Sequence, residues 1–516
     1  MSRTHRFFNG LIFAYGYQAL VMVAGLWLTP FLLHHLGQHD YGLWLTALQI
    51  LSYVTLVDLG VVAVVPRTVA YATGRAGGNK NPAELSRILG QTALVVLWQT
   101  PLVALIAAGA WLLLPTAWTS MRGPLELILA TYAFLFPLRI FAAVLEGLQE
   151  QAIVIRVGMV SWAVGTLANV GLLLAGFGLY ALTIGWILSQ VFNSAACAWR
   201  MWTAHREVIP RRLPKFSKAD MLPQLGSSFW VSFNQIGQVL MAGSDILLIS
   251  KIMGPALVVP YSITGKLASV LQNQPQILMH LATPGLSEMK TASSKESIYR
   301  VSAALSQGLL LLTGLICCVV LVVNEEFVRV WVGSKQYGGF ALTCLILLAM
   351  LLRHWNQCMA YTVFSFGYER RLAISGLFDG IVTATVTFLA VPHFQYIGAM
   401  AGSLAGVCLV TLPVNLITAA RELEIPVVRL VRPFWPWFWR FVLVASLAGF
   451  GAQYRPPQSL LQLVVAGAII TAIYCLVMFR PILSSPLGPY FRQVAERVGQ
   501  FLGSLVGPPA EKAGQP

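Results

Sequence analysis

Residues Leu36–Arg75 read LGQHDYGLWLTALQILSYVTLVDLGVVAVVPRTVAYATGR, an apolar run after a glycine turn that is long enough to span a membrane yet carries Asp58 in its interior. An ionised Asp at the centre of a membrane helix costs roughly 2.5–3.5 kcal/mol, so a chain that keeps one there faces it to a water-filled cavity or a cationic partner. Asp58 is therefore the first functional candidate. A fainter copy follows 217 to 218 residues downstream, where Met253–Lys290, MGPALVVPYSITGKLASVLQNQPQILMHLATPGLSEMK, again has a glycine turn, an aromatic-bearing apolar span and a proline near its end. In the copy the deep charge is Lys266, of opposite sign.

Composition sets the class. The 516 residues are 57% hydrophobic and 10% charged, with a mean hydropathy of +0.72, whereas a soluble domain carries about 25% charged residues. The fold class expected is all-α, a polytopic membrane protein. A net charge of +15 does not indicate nucleic acid, because the basic residues are scattered over short loops and form no continuous basic face. The seven cysteines, Cys197, Cys317, Cys318, Cys344, Cys358, Cys408 and Cys475, all lie in apolar runs and read as small core residues. His34, His35 and His39 share one short turn, but without further ligands this is no metal site, and no cofactor is called for.

The apolar run after MSRTHRFF reaches Leu33, which exceeds a signal-peptide core and lacks a small-residue cleavage site, so it reads as span one. At about 20 residues per span, thirteen more follow near 41–66, 89–115, 125–148, 152–176, 178–200, 225–252, 256–284, 301–323, 339–366, 372–391, 396–419, 433–452 and 459–479. With fourteen spans both termini share one side. Of the 34 basic residues, 25 lie on that side, 4 on the other and 5 within spans, which makes both termini cytoplasmic.

The basic segment 201–224 then separates residues 1–200 from residues 225–419, each with six spans. An even number of spans per set makes a parallel internal repeat, and Gln18 with Gln235, Gly37 with Gly254 and Pro66 with Pro284 are its sparse matches. Residues 433–479 add two spans. The first of these starts with RPFWPWFWR, whose Trp435, Trp437 and Trp439 read as a belt at headgroup depth. Phe491, Val494, Val498, Phe501 and Leu505 recur near helical spacing, so 486–506 is expected to be an interfacial amphipathic helix and 507–516 a disordered tail.

The run YGLWLTALQILSYVTLVDLGVVAVVPRTVA resembles the second-span signature of the oligosaccharide flippases. These form the polysaccharide transporter family of the multidrug/oligosaccharidyl-lipid/polysaccharide exporter superfamily, which also holds the multidrug and toxin extrusion transporters and the lipid II flippases. GSDILLISKIMGPALVVPYSITGKLASVLQN and FVRVWVG, Phe327–Gly333, resemble the same family. The resemblance implies two six-helix bundles around a central cavity, with two extra helices. It further implies export of a polyprenyl-diphosphate-linked oligosaccharide, such as an O-antigen, capsule or exopolysaccharide repeat unit. The setting implied is the bacterial inner membrane, with the polysaccharide polymerase and chain-length machinery of lipopolysaccharide biosynthesis as possible partners. Ile246 after Asp245 departs from the family pattern, where a basic residue is common.

The residues themselves point to a polar cavity. In span eight Ser262, Lys266, Ser269, Asn273, Gln276 and His280 are spaced 4, 3, 4, 3 and 4, one stripe on an apolar helix. Lys266 offers a cation for a diphosphate, and the neutral groups offer hydrogen bonds for sugars; the plainer reading of such a stripe is glue between helices. Span seven has a sparser face with Ser228, Gln235, Gln238 and Asp245. Arg139 and Arg353 lie mid-span, too deep to snorkel. Glu146 lies seven residues after Arg139 on the same face and is an alternative, structural partner, while Asp379 is a candidate partner for Arg353. Lys251 and Arg440 lie close to span ends and read as anchors.

The substrate-binding candidates are thus Lys266, Arg139, Arg353, Ser262, Ser269, Asn273, Gln276, His280 and Gln235, and Asp58, Asp245 and Asp379 are the coupling or charge-balancing candidates. The alternatives are a cation-coupled drug exporter, a lipid II flippase and, more distantly, a membrane glycosyltransferase or polymerase. The last needs reactive groups gathered on a sizeable external loop, and the longest such connection, 324–338, offers neither a carboxylate pair with a metal nor a nucleophile with its base. The chain is therefore read as a transporter and not an enzyme.

Overall fold

The structure, a computed structural model, describes residues 3–484 except 76–80, 211, 213, 215–217, 274, 276–293, 455–456 and 458, and beyond 484 only Leu487 and Gly488. The described residues are helices joined by short turns, with no strand among them. Gln276, His280, Pro284, nearly all of the amphipathic segment 486–506 and the tail 507–516 lie outside the described residues.

Nine stretches among the described residues are long and apolar enough to cross a membrane, and two shorter apolar helices, Val61–Gly74 and Pro255–Thr264, accompany them. The tally differs from fourteen partly because neighbouring spans run together. Glu369–Glu422 and Leu20–Asp58 are each continuous by helix assignment although each is bent at one residue of positive φ, Gln395 and Gly37 respectively. The chain is a multi-pass membrane protein.

The helices cluster into two compact units, residues 1–262 with 373–406, and residues 263–372 with 407–516. In the first unit α1 (Arg3–Thr55), α2 (Val61–Arg75), α3 (Pro82–Leu112), α4 (Thr119–Leu135), α5 (Arg139–Gly147), α6 (Gln151–Leu174) and α7 (Leu179–Ala204) are followed by α8 (Lys218–Ile252). Leu43, Leu85, Met121, Leu125, Ile128, Phe136 and Leu182 fill the core, each almost fully buried.

Small residues let α8 lie along α1 and α2, and this brings a helix from beyond the basic segment 201–224 into the first unit. Thr46 Oγ1 donates to Ser250 Oγ at 2.9 Å, Tyr53 OH lies 3.1 Å from Ser244 Oγ, and Gln38 Nε2 donates to the Ala256 carbonyl at 2.9 Å. Each replaces lipid around a polar side chain with a partner inside the protein, which is how polar groups bridge membrane helices. Gly37 and Gly254, matched in the sequence repeat, adopt the same backbone shape, with φ, ψ of 76°, 169° and 103°, 154°. A Cβ would strain both turns.

A kinked helix α13 (Glu369–Gly406) belongs to this unit from residue 373 onward, after α9 (Val258–Thr264), α10 (Lys266–Leu271), α11 (Lys295–Val332) and α12 (Phe340–Ser365). It meets α8 at glycines, since a Cβ on Gly237 would stand 2.6 Å from the Gly376 carbonyl.

The second unit is built on α11 and α12, with α14 (Leu412–Glu422), α15 (Val427–Val431), α16 (Trp435–Tyr454) and α17 (Leu460–Ser484). Leu310, Cys318, Val320, Val444 and Met478 lie in one apolar cluster that ties α16 and α17 to α11. Trp437 departs from the belt expected of RPFWPWFWR. It is 7% exposed, stacks on Phe441 at 5.1 Å and donates to Tyr474 OH at 3.0 Å, while Trp435 and Trp439 do stay exposed. Helical periodicity explains the split, because Trp437 lies on the face toward α11. The cysteines divide as well: Cys197, Cys317, Cys318 and Cys358 are buried, whereas Cys408 and Cys475 lie on exposed helix faces.

Candidate functional site

In the first unit the helical path breaks at Asp58. Residues Leu56–Asp58 tighten into a 3₁₀ turn, and Leu59 and Gly60 take φ of 48° and 66° before α2 resumes. A break inside a membrane frees backbone groups that must find partners in the protein. Gln99 of α3 supplies one, its Nε2 donating to the Asp58 carbonyl at 3.1 Å. The Asp58 side chain caps the following turn, accepting from Val62 N–H at 3.2 Å through Oδ1.

The other carboxylate oxygen faces Arg139 Nη1 at 4.0 Å. Arg139 also starts a helix after a 3₁₀ turn, Phe136–Leu138, where Pro137 removes a donor. Its Nη1 donates to Tyr132 OH at 2.8 Å, and its guanidinium lies over the rings of Tyr132 and Phe136 at 5.7 and 5.8 Å. Among the described residues the carboxylate paired with Arg139 is therefore Asp58 and not Glu146. The Asp58 side chain is 5% exposed and that of Arg139 37%, so the cation has an open side where its partner has none.

Asp245 and Asp379, both in this unit, are tied down differently. Tyr261 OH donates to Asp245 Oδ2, and the Ile246 N–H donates to Oδ1 at 2.9 Å. Asp379 is fully buried and accepts from Thr383 Oγ1 at 3.1 Å. Gln235 is half-buried, and Ser262 Oγ is buried with no hydrogen-bond partner among the described residues.

In the second unit the interruption falls at Gly265, between α9 and α10, and Lys266 is the first residue after it. Here Asn324 of α11 plays the part of Gln99. Its Nδ2 donates to the Thr264 carbonyl at 3.0 Å and to Thr343 Oγ1 at 3.1 Å. Thr264 Oγ1 accepts from Gly338 N–H at 2.7 Å, and Tyr337 OH lies 3.1 Å from Thr343 Oγ1. Burial pushes the Tyr337 hydroxyl up to about 12, so it serves as a neutral hydrogen-bonding group. The motif Phe327–Gly333 acquires a structural meaning from this. Gly333, at φ 98°, ends α11 and turns the chain toward Gly338.

Lys266 is half-buried, and no described carboxylate forms an ion pair with it. Ser269 is exposed with Oγ donating to the Lys266 carbonyl at 2.8 Å, and Asn273 is exposed. Arg353 lies half-buried on α12, in a different unit from Asp379. Sequence reasoning missed Gln99 and Asn324, although each is an amide in an apolar run and so carried a signal. It also missed His354, 2% exposed, whose Nδ1 lies 2.8 Å from Thr313 Oγ1.

At the end of α7 a third charged group closes the turn before α6. Glu150 accepts from Arg200 Nε and Nη2 at 2.8 and 3.0 Å, and its Oε1 lies 2.9 Å from His205 Nε2. Burial alone would raise the Glu150 carboxyl, but the bonds from Arg200 and His205 outweigh it and hold it below its ordinary value.

Residues 101–337 match the family described as polysaccharide biosynthesis protein. Among curated proteins none matches the chain in sequence. Among solved structures the chain is similar to the lipid II flippase MurJ in an inward closed conformation, with 9% identity, a TM-score of 0.65, and coverage of 92% of this chain and 99% of that one. It is also similar to an inward-facing multidrug resistance transporter of the MATE family, at 13% identity and a TM-score of 0.52, covering 75% of this chain and 95% of that one. At these identities the likeness is one of fold. Residues 101–337 thus carry the similarity to that family, and the chain as a whole shares the fold of these two membrane proteins.

Proposed function

We propose that the protein moves a polyprenyl-diphosphate-linked oligosaccharide across the bacterial inner membrane by alternating access, with both termini cytoplasmic and two six-helix bundles as the moving parts. Lys266, Arg139 and Arg353 hold the diphosphate and the first sugars, Ser262, Ser269, Asn273, Gln276, His280 and Gln235 exchange hydrogen bonds with the glycan, and the polyprenyl tail stays in the bilayer. Asp58 balances Arg139 between substrates or carries a coupling proton, and Asp245 and Asp379 balance charge elsewhere.

The observation that carries this reading is the state of the deep cations. Arg139 keeps an open side next to a buried carboxylate, and Lys266 emerges from a helix break with no described carboxylate paired to it. A buried anion costs several kcal/mol unless matched by fixed positive charge, and cations held with unused donors suit a diphosphate. A drug exporter for organic cations would need the reverse, an acidic or apolar chamber.

The test is mass spectrometry of lipid-linked material from a deletion strain. Complete repeat units accumulating on the carrier are the expected result. Truncated units would instead assign the protein a glycosyltransferase step, and unchanged carrier pools would set the reading aside.

A further inference from the structure

A cavity of about 320 Å³ opens in the first unit between α1, α3, α8 and the turn after α3. Its floor is apolar, with Val54, Leu114 and Trp118 each at or below 7% exposure. Its mouth passes Ile106 and Leu113, 41% and 85% exposed. Large apolar side chains exposed on a membrane-spanning helix meet acyl chains, so this mouth opens into the hydrocarbon region.

Among the described residues, one charged group borders the cavity. Lys251 sits in the last turn of α8, three residues before the Gly254 turn, and is exposed. No described carboxylate forms an ion pair with it. A lysine at a span end extends its ammonium to headgroup depth while its stem lies along apolar surface. The Tyr53 hydroxyl, also at the cavity, is 3.1 Å from Ser244 Oγ and closes the inner wall.

We propose that this cavity binds one anionic phospholipid, with an acyl chain in the apolar pocket and the phosphate on Lys251. The charge pattern selects the occupant. A single ammonium at headgroup depth matches a singly charged phosphodiester; among the described residues the pocket beneath it provides no second cation for the diphosphate of a lipid-linked glycan, and the Tyr53 hydroxyl on its wall is engaged by Ser244. The site is independent of the transport reading. Its lipid would brace α3 against α8, two helices whose apolar surfaces otherwise leave a void beside Val54.

The experiment is native mass spectrometry and thermal unfolding of the full-length protein from bilayers of phosphatidylglycerol or of phosphatidylcholine. Parent protein should retain one phosphatidylglycerol and be stabilised by it, while phosphatidylcholine is retained more weakly. Lys251→Gln should weaken the difference by about tenfold, the scale of a charge-assisted hydrogen bond, and Lys251→Arg should keep it. Ala110→Phe, which fills the pocket, should remove both lipids, and loss of folding in that variant leaves the Lys251 pair to decide. Retention unaffected by Lys251→Gln, or displacement of phosphatidylglycerol by an equal amount of undecaprenyl diphosphate or inorganic phosphate, would overturn the assignment.

Discussion

The interruption at Asp58 in the first unit and the interruption at Gly265 in the second are held by the same device and left with opposite charges. In both, an amide side chain from the next long helix takes up a carbonyl at the break: Gln99 of α3 that of Asp58, and Asn324 of α11 that of Thr264. In the first the adjacent charge is a carboxylate already facing Arg139, whereas in the second it is an ammonium for which no described carboxylate serves. The common device provides rigidity where helix geometry fails, and the difference in charge separates a pair that is balanced at rest from a cation that is not.

The largest expected effect concerns the balanced pair. Asp58→Asn keeps the shape and the acceptor for Val62 N–H but removes the charge opposite Arg139. If Asp58 is a coupling or balancing group, transport in energised cells should fall about a hundredfold, equivalent to roughly 2.7 kcal/mol. Stability should change by less than about 1 kcal/mol, because the 4.0 Å contact is loose and Arg139 is partly solvated. Export at the parental rate would confine Asp58 to packing.

The two amide latches give the next contrast. Asn324→Leu removes two hydrogen bonds and should destabilise by about 2–3 kcal/mol, whereas Gln99→Leu removes one and should cost about 1 kcal/mol. Each substitution also relieves a buried amide oxygen that has no partner among the described residues, so the second bond makes the difference. Thermal unfolding in detergent reads both, and equal shifts would break the comparison.

A smaller effect is expected outside the membrane core. Glu150 has its folded value lowered by Arg200 and His205, so its stabilisation is present above the unfolded value of 4.5 and is lost as pH falls through the lower folded value. Glu150→Gln should cost about 1 kcal/mol at neutral pH. It should also flatten the acid limb of an unfolding curve measured against pH. An acid limb identical to the parent's would show that the clamp adds nothing.

The class and the deep charges were legible in the sequence because each is a local property. An Asp, an Arg or a Lys in an apolar run stands out wherever its partners lie. Partners were not legible. Glu146 shares a face with Arg139 by periodicity, yet the structure pairs Arg139 with Asp58, 81 positions earlier in the chain, because two broken helices bring them together. The placement of α8 in the first unit was likewise hidden, since a long basic connection says nothing of what packs on Gly237 or Gly243. Gly37 and Gly254 are the opposite case: a turn that needs positive φ has to be written as glycine, so the repeat showed there.

The most direct measurement is the flipping rate of lipid-linked oligosaccharide in proteoliposomes carrying Lys266 variants at equal abundance. If Lys266 is the unbalanced cation that receives the diphosphate, Lys266→Ala should slow flipping about a hundredfold. Lys266→Arg should retain part of the rate because the charge persists with altered donor geometry, and Lys266→Glu should be the slowest through repulsion. Parental rates in both the Ala and the Glu variants would contradict it.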